Sequence, residues 1–177
     1  IQIAHESGTL EKDEAELCDR VFRLNDIRTS NIMKPLREAY MLEAHKTLGE
    51  IKDKIISSPY NRIVVYDHNP NRVVGIVQHR ILLREMAKDN HQSTIGQWML
   101  KPIFVSHMMK LDALMEKFQT FHQHLFIVND NMGRHIGLVT MEDVLEELFG
   151  EIYDEKDMRF KHLAKAQEKP EPDKGGV

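Results

Sequence analysis

The chain has 177 residues and a formal net charge of −4. A nucleic-acid-binding protein normally carries a basic face, so this charge gives no support to that class of protein or to a general polybasic membrane anchor. The single cysteine, Cys18, cannot form an internal disulfide, and a reducing compartment is the simplest setting. No apolar run reaches the roughly 18 to 20 residues that a membrane helix needs. The chain begins at Ile1 rather than at a methionine, which suggests an excised fragment or a processed product, and we expect this piece to be soluble.

The first predicted element is a helix from about Glu11 to Leu24. Leu10, Leu17 and Val21 fall on the same helical face as Leu24, among charged neighbours. We expect this apolar face to pack on the rest of the chain.

A capping box begins the next predicted helix. Thr47 is followed three residues later by Glu50, and the helix should continue to about Ile56. Arg62 then opens an apolar strand that Asp67 closes, and the polar residues 67–71 predict a turn. A second strand around Gly75 leads into a helix that contains Ile81, Leu82 and Met86, and residues 88–93 read as a linker.

The second half repeats this order of elements. Leu111, Leu114 and Phe118 predict a core-facing helix, and residues 125–130 and 136–139 predict two strands. Aligning the halves matches Pro35 with Pro102, an offset of 67. The offset falls to 63 at the two aspartates, 67 and 130, and to 62 at the two glycines, 75 and 137, so insertions and deletions fall in loops.

The most informative stretch joins the last strand to the last helix. Thr140 ends the strand, and Asp143 follows in the first turn of a helix with an apolar stripe from Met141 to Phe149. The pair can simply cap that helix, which stabilises it by about 1 kcal/mol. A helix N-terminus is also an anion site, so the Thr140 hydroxyl could serve a phosphate and the Asp143 carboxylate a ribose. At the equivalent joint the first half has Gln78 and Ile81, and Ile81 cannot accept a ribose hydroxyl.

With its repeat and this joint, the chain resembles tandem cystathionine-β-synthase-type (CBS) domains, which pair into a Bateman module. Thr140 and Asp143 fit that family's Gly-h-x-Ser/Thr-x-x-Asp nucleotide signature. Residues 139–155 look like the second CBS domain of the CorC/CNNM group, membrane proteins linked to magnesium and cobalt efflux. The resemblance implies an α+β fold of two CBS domains, each a small three-stranded sheet with two helices, packed as a pseudo-symmetric pair beside an N-terminal helix.

The resemblance also implies which residues bind a nucleotide. Arg62 is either a charge at a solvated strand edge or a phosphate ligand. The resemblance implies the second role, because relatives carry a basic residue at this position that reaches the nucleotide phosphates. Lys34 and Lys101 are candidates of the same kind, although relatives often have threonine at the position of Lys34. The predicted nucleotide-binding residues are Thr140, Asp143, Arg62 and Lys34, with no catalytic residues and no metal ligands in the protein.

The predicted domains are an N-terminal helical segment (residues 1–28), CBS domain 1 (29–92), CBS domain 2 (93–157) and a disordered tail (158–177). We expect a regulatory module, not an enzyme, that binds AMP or ATP and controls an attached membrane transporter domain from the cytoplasmic side of the inner or plasma membrane. It should form a homodimer through the CBS domains. The acidic run over residues 142–157 is either a solvated face or a surface that draws in Mg²⁺ as a counter-ion. The alternative is a nucleotide-free dimerisation scaffold of the same membrane protein.

Overall fold

The computed structural model describes residues 26–149, so the predicted helix from Glu11 to Leu24 and the predicted tail lie outside the described residues. Within that range the helices are α1 (Thr29–Ile32), α2 (Lys52–Ile56), α3 (His79–Ala87), α4 (Leu111–Phe121) and α5 (Met141–Phe149). The strands are β1 (Lys34–Pro35), β2 (Met41–Glu43), β3 (Arg62–Asp67), β4 (Asn69–Gln78), β5 (Phe104–Ser106), β6 (Leu125–Asn129) and β7 (His135–Thr140). None of the helices in this part of the chain is long and apolar enough to cross a membrane.

The first sheet has the order β2-β3-β4, with β2 parallel to β3 and β3 antiparallel to β4. The prediction of a turn over residues 67–71 is wrong in its extent, since β4 already begins at Asn69. The chain reverses around His68, which adopts a left-handed backbone conformation with φ 50°. The prediction of a capping box is confirmed. Thr47 and Glu50 exchange hydrogen bonds of 2.7 and 3.2 Å, and regular helix α2 begins two residues later.

The second sheet repeats this arrangement and gains one strand. Its order is β1-β7-β6-β5, and β1 comes from the first half of the sequence. Lys34 pairs with Leu138 and Pro35 with Gly137. The first strand of the first repeat therefore belongs to the sheet of the second repeat. In return Leu100 forms a two-way bridge with Ile76 of β4, with hydrogen bonds of 2.8 and 3.0 Å. The two halves are therefore interlocked by exchanged segments.

Glycine is required where these segments cross. A Cβ on Gly137 would lie 2.6 Å from the carbonyl oxygen of Lys34 and 3.1 Å from the sulfur of Met33, and a Cβ on Gly75 would lie 2.4 Å from the sulfur of Met99. The contacts with the Lys34 carbonyl and with Met99 are shorter than real Cβ contacts, so a larger residue at either glycine would force the crossing segment to move. Met33 is thus the structural counterpart of Met99, an offset of 66. The alignment of the two prolines at an offset of 67 is wrong by one residue, because hydrogen-bond pairing and not proline fixes the register.

Each half has its own buried core, and the two sheets face one another through a third apolar cluster. Leu36, Val64 and Ile76 meet Ile127 and Leu138 in this central cluster. The predicted apolar stripe of α4 is confirmed as core, since Leu111 and Leu114 are fully buried and Phe118 is 2% exposed. The candidate site lies beside this cluster, between the start of β3 and the end of β7.

Candidate functional site

The joint between β7 and α5 is a closed capping arrangement. The Oδ2 atom of Asp143 accepts hydrogen bonds from the backbone N–H and the hydroxyl of Thr140, both at 2.7 Å. The backbone N–H of Asp143 donates to the Thr140 hydroxyl at 3.2 Å. The Asp143 side chain is only 7% exposed. It lies in the first turn of α5, where the positive end of the helix dipole favours a carboxylate. The capping interpretation of these two residues is therefore realised in the structure.

The other carboxylate oxygen of Asp143 meets a cation from the first half of the sequence. Lys34 Nζ lies 2.9 Å from Asp143 Oδ1 because β1 pairs with β7. The hydrogen bond to Asp143 raises the pKa of Lys34 above its ordinary value, so the ammonium stays charged at neutral pH. The Lys34 side chain is 62% exposed, and such a pair contributes only about 0 to 1 kcal/mol to folding.

A cavity of about 430 Å³ opens beside this joint. Three of the four predicted site residues, Lys34, Arg62 and Thr140, lie on its wall, and Asp143 stands directly behind Lys34. The cavity lies between the start of β3 and the end of β7, so both halves of the sequence contribute to it. The full lining is Lys34, Glu38, Ala39, Tyr40, Pro59, Tyr60, Asn61, Arg62, Val64, His124, Leu125, Leu138, Thr140 and Glu142.

Two tyrosines on this wall were not predicted from the sequence. The rings of Tyr40 and Tyr60 lie 6.0 Å apart, and the Tyr40 hydroxyl donates to the backbone carbonyl of Lys54. Tyr60 is 52% exposed, so one side of an aromatic ring is accessible on this wall. The sequence feature that could have pointed to Tyr60 is its position, directly after Pro59 and just before the strand that begins at Arg62. Tyr40 carries no comparable signal, because only the fold brings it to the cavity.

Arg62 also reaches a second, smaller cavity of about 320 Å³, which it lines with Asn61, Gln78 and Arg80. The Arg80 guanidinium donates to the Gln78 side-chain oxygen at 2.9 Å. The two cavities share Asn61 and Arg62, and the smaller one has a second guanidinium group, that of Arg80, on its wall. Guanidinium groups bind phosphate through strong, often bidentate hydrogen bonds, so this end suits an anionic ligand.

The corresponding position in the other half lacks the ion pair formed by Lys34 and Asp143. There the bridge between β4 and the crossing segment puts Leu100 where β1 puts Lys34. Gln78 and Ile81 take the places of Thr140 and Asp143. The apolar residues Leu100 and Ile81 thus stand where the related position has a cation and a carboxylate, so only one of the two related positions has the ion pair.

Comparisons with known proteins agree with this architecture. Residues 95–150 match the family model described as CBS domain. The chain is 35% identical over 155 residues to the UPF0053 protein sll1254 of Synechocystis sp., covering 88% of this chain and 45% of the relative. It is 29% identical over 157 residues to the magnesium and cobalt efflux protein CorC of Escherichia coli, covering 89% of this chain and 54% of the relative. The chain thus spans about half the length of these curated relatives.

Solved structures give the same result. The CBS domain of the bacterial CNNM/CorC family Mg²⁺ transporter in complex with the inhibitor IGN95a superposes with a TM-score of 0.78 at 31% identity, covering 85% of this chain and 93% of that one. The same family's CBS domain in complex with ATP gives 0.74 at 29% identity, covering 78% and 99%. A CBS-domain pair with bound AMP from Klebsiella pneumoniae gives 0.64 at 26% identity, covering 70% and 99%.

The exchanged segments and the strand-to-helix joint define the class of protein as a CBS-domain pair with an α+β fold, as predicted. The second sheet has four strands where three were expected, because the crossing segment β1 completes it. The match to the inhibitor-bound structure settles the family. The chain belongs to the CBS domains of the CNNM/CorC Mg²⁺ transporter family.

Proposed function

We propose that this module binds one adenine nucleotide, AMP or ATP, in the 430 Å³ cavity and thereby regulates an attached membrane ion transporter. The observation that carries the proposal is the convergence of Lys34, Arg62 and Thr140 on one cavity wall, from both halves of the chain. A CBS domain of this family has been solved in complex with ATP, and a similar CBS-domain pair has been solved with bound AMP. The cavity volume lies within the range of about 300–1,000 Å³ usual for small-molecule sites.

The ribose is the part of the ligand that we assign to Thr140 and Asp143. A ribose hydroxyl would donate to Asp143 Oδ1 once Lys34 moves aside, and the freed ammonium would then meet a ribose or phosphate oxygen. The base would lie against the exposed ring of Tyr60 and the apolar side chains of the wall. The phosphates would extend toward Arg62 and Arg80. AMP would reach this end less fully than ATP.

Regulation follows from the interlocked architecture. Lys34 and Arg62 belong to the first half of the sequence and Thr140 to the second, so a ligand in contact with all three favours one arrangement of the halves. A ligand shifts a conformational equilibrium only by its difference in affinity for the two states. We propose that this difference is transmitted to a membrane domain on the cytoplasmic side of the inner or plasma membrane. We propose domain limits of 29–92 and 93–157 for the two CBS domains, and magnesium and cobalt as the ions that the attached domain transports. We also propose that Mg²⁺ binds as a counter-ion at the acidic run that begins at Glu142.

We also propose that two modules form a homodimer. The apolar stripe of α4 is not available for this purpose, since it is buried in the core. Other apolar side chains are exposed, with Leu83 on α3 at 39% and Phe121 at the end of α4 at 48%. Helical surfaces of this kind usually meet a partner when they form a contiguous patch. Sedimentation that shows only monomer at tens of micromolar would remove this part of the proposal.

A nucleotide-free dimerisation scaffold is the second candidate function, and one observation favours it. Thr140, Asp143 and Lys34 already satisfy one another without a ligand. A thermal-shift panel of AMP, ADP and ATP, each with and without Mg²⁺, separates the two functions. A ligand that binds only the folded state stabilises it by about 2.7 kcal/mol at 100 times its Kd, whereas a scaffold would show no shift with any nucleotide. Guanine and pyrimidine nucleotides serve as controls for adenine selectivity.

A further inference from the structure

Two histidines and two carboxylates meet at the opposite end of β3 from the cavity. His45 Nε2 lies 2.8 Å from Asp67 Oδ1, and His68 Nε2 lies 3.8 Å from the same oxygen. The His45 and His68 rings stack with centroids 4.4 Å apart. On its other side the His68 ring meets Glu43, with Nδ1 3.2 Å from Oε1. Two imidazole rings and a carboxylate from two separate segments, one containing His45 and the other containing Asp67 and His68, therefore lie close together.

The geometry points to a metal site: we propose that His45, Asp67 and His68 bind one divalent first-row transition-metal ion of the Zn²⁺ type. One ligand atom from each of these residues lies within 4.8 Å of the other two. Zn²⁺ bonds of about 2.0–2.2 Å in a tetrahedron require ligand atoms roughly 3.3–3.5 Å apart, so the three atoms are already close to the required spacing. Metal binding would also tilt the two rings out of their stacked arrangement, because the lone pair of an imidazole nitrogen lies in the plane of its ring. Two imidazoles and one carboxylate leave a coordination position open to water.

The surrounding groups support this assignment. When the Nδ1–H of His68 donates to Glu43, the lone pair of His68 lies on Nε2, the atom that faces Asp67. A carboxylate that holds a ligating histidine in this way is a common feature of metal sites. Arg72 pairs with Asp67 Oδ2 at 3.2 Å and leaves Oδ1 to the metal. Glu43 and Arg72 are thus positioning residues for the three ligands.

The donor set also selects among metals. Imidazole nitrogen suits Zn²⁺, Ni²⁺ and Cu²⁺, whereas Mg²⁺ prefers carboxylate, carbonyl and water oxygen in an octahedral arrangement. A site with two imidazoles should therefore bind Zn²⁺ in the presence of excess Mg²⁺. It is separate from the proposed nucleotide site, because the five residue steps from Arg62 to Asp67 span about 16 Å of strand.

The second half of the chain provides an internal comparison. Ser106 pairs with Asn129 as Glu43 pairs with Tyr66, which makes Asp130 the counterpart of Asp67. The Asp130 carboxylate accepts the backbone N–H groups of Met132 and Arg134, each at 2.9 Å, and so closes its own turn. The counterparts of His45 and His68 there are Met108 and Asn131.

The repeated fold therefore does not need histidine at these positions. Among the described residues, the partners of the Asp67 carboxylate are all side chains. The Asp67 carboxylate thus contacts the two histidines, whereas the Asp130 carboxylate accepts backbone N–H groups of the turn that follows it.

The test is a calorimetric titration of untagged, chelator-treated chain with ZnCl₂ in excess MgCl₂. The unaltered chain should bind one Zn²⁺ at its tightest site. The double variant His45→Ala with His68→Ala should lose more than the roughly 10- to 100-fold in affinity that outer-shell changes cost. His91→Ala removes a histidine that is paired with Asp89 outside the cluster, and this matched control should bind as the unaltered chain does. Circular dichroism checks that each variant is folded.

A second pair of variants tests the positioning role of Glu43. Glu43→Ala should weaken Zn²⁺ binding about 10- to 100-fold, and Glu43→Gln, which keeps an oxygen acceptor for His68, should weaken it less. In nitrogen-15 spectra of the unaltered chain, Zn²⁺ should shift the Nε2 signals of both histidines. Absence of binding by the unaltered chain would overturn the proposal. Equal binding by the double variant would also overturn it, since the metal would then lie elsewhere.

Discussion

The variant Asp143→Asn distinguishes two roles of Asp143, nucleotide binding and capping of helix α5. Asparagine has the same shape, and its side-chain oxygen can still accept the two hydrogen bonds from Thr140. The variant loses a charge at the helix N-terminus, about 0.3 to 1 kcal/mol, and the pair with the largely exposed Lys34, about 0 to 1 kcal/mol. We expect the free energy of unfolding to fall by about 1 kcal/mol, which lowers the melting temperature by about 2 to 4 °C.

The effect on nucleotide binding should be much larger. A hydrogen bond from a ribose hydroxyl to a carboxylate contributes about 1.5 to 3 kcal/mol, so its loss weakens binding roughly 10- to 150-fold. Isothermal titration calorimetry with ATP measures this change directly. Asp130→Asn is the matched control, because Asp130 accepts two backbone N–H groups and pairs with Arg134 at 2.6 Å, away from the cavity lining.

Asp130→Asn should lower stability and leave ATP affinity unchanged. If Asp143→Asn bound ATP as tightly as the unaltered chain, Asp143 would be a cap and nothing more. If both variants lost affinity equally, the loss would reflect stability and not contact with the ribose. Either result would refute the assignment of Asp143 to the ligand.

Three further predictions follow from the same geometry. Arg62→Ala should weaken ATP by about 1.5 to 3 kcal/mol and AMP by less, and calorimetry that gave equal losses would exclude a contact with the distal phosphates. Gly137→Ala should lower stability by about 1 to 3 kcal/mol in a denaturant titration, since the new Cβ would lie 2.6 Å from the Lys34 carbonyl oxygen, and an unchanged midpoint would contradict that close approach. His135 Nδ1 accepts the backbone N–H of Val73 at 3.0 Å, and burial lowers the pKa of His135. The unfolded chain therefore binds this proton more readily, so the stability from neutral His135 is complete above about pH 6.5 and falls as pH drops through the lowered pKa. Melting temperatures between pH 7.5 and 5.5 should fall further for the unaltered chain than for His135→Gln, and parallel curves would contradict the coupling.

Local patterns in the sequence were sufficient for individual elements. The strand Arg62–Asp67 has the predicted limits, because a continuous apolar run was bounded by polar residues. The helix predicted from Leu111 to Phe118 continues to Phe121, where His122 adopts a left-handed conformation with φ 51° and ends it. Periodicity locates a buried stripe but does not specify where the last turn stops.

Long-range pairing was beyond reach of the same reasoning. The exchange of β1 onto the second sheet and the pair between Lys34 and Asp143 join residues more than 100 positions apart. Nothing in local spacing marks such partners, and the alignment on proline even shifted the register by one residue. The cavity wall shows the same limit, since Thr140 and Asp143 share a recognisable spacing whereas Tyr40 reaches the wall only through the fold.

The central claim is that the chain binds a single adenine nucleotide at the joint that combines Lys34 with Asp143, and that the related position with Leu100 and Ile81 binds none. Calorimetric titration of the unaltered chain with ATP tests it most directly, with protein concentration determined independently. We predict saturation at one ATP per chain. Saturation at two per chain, or no binding at millimolar ATP, would contradict the account.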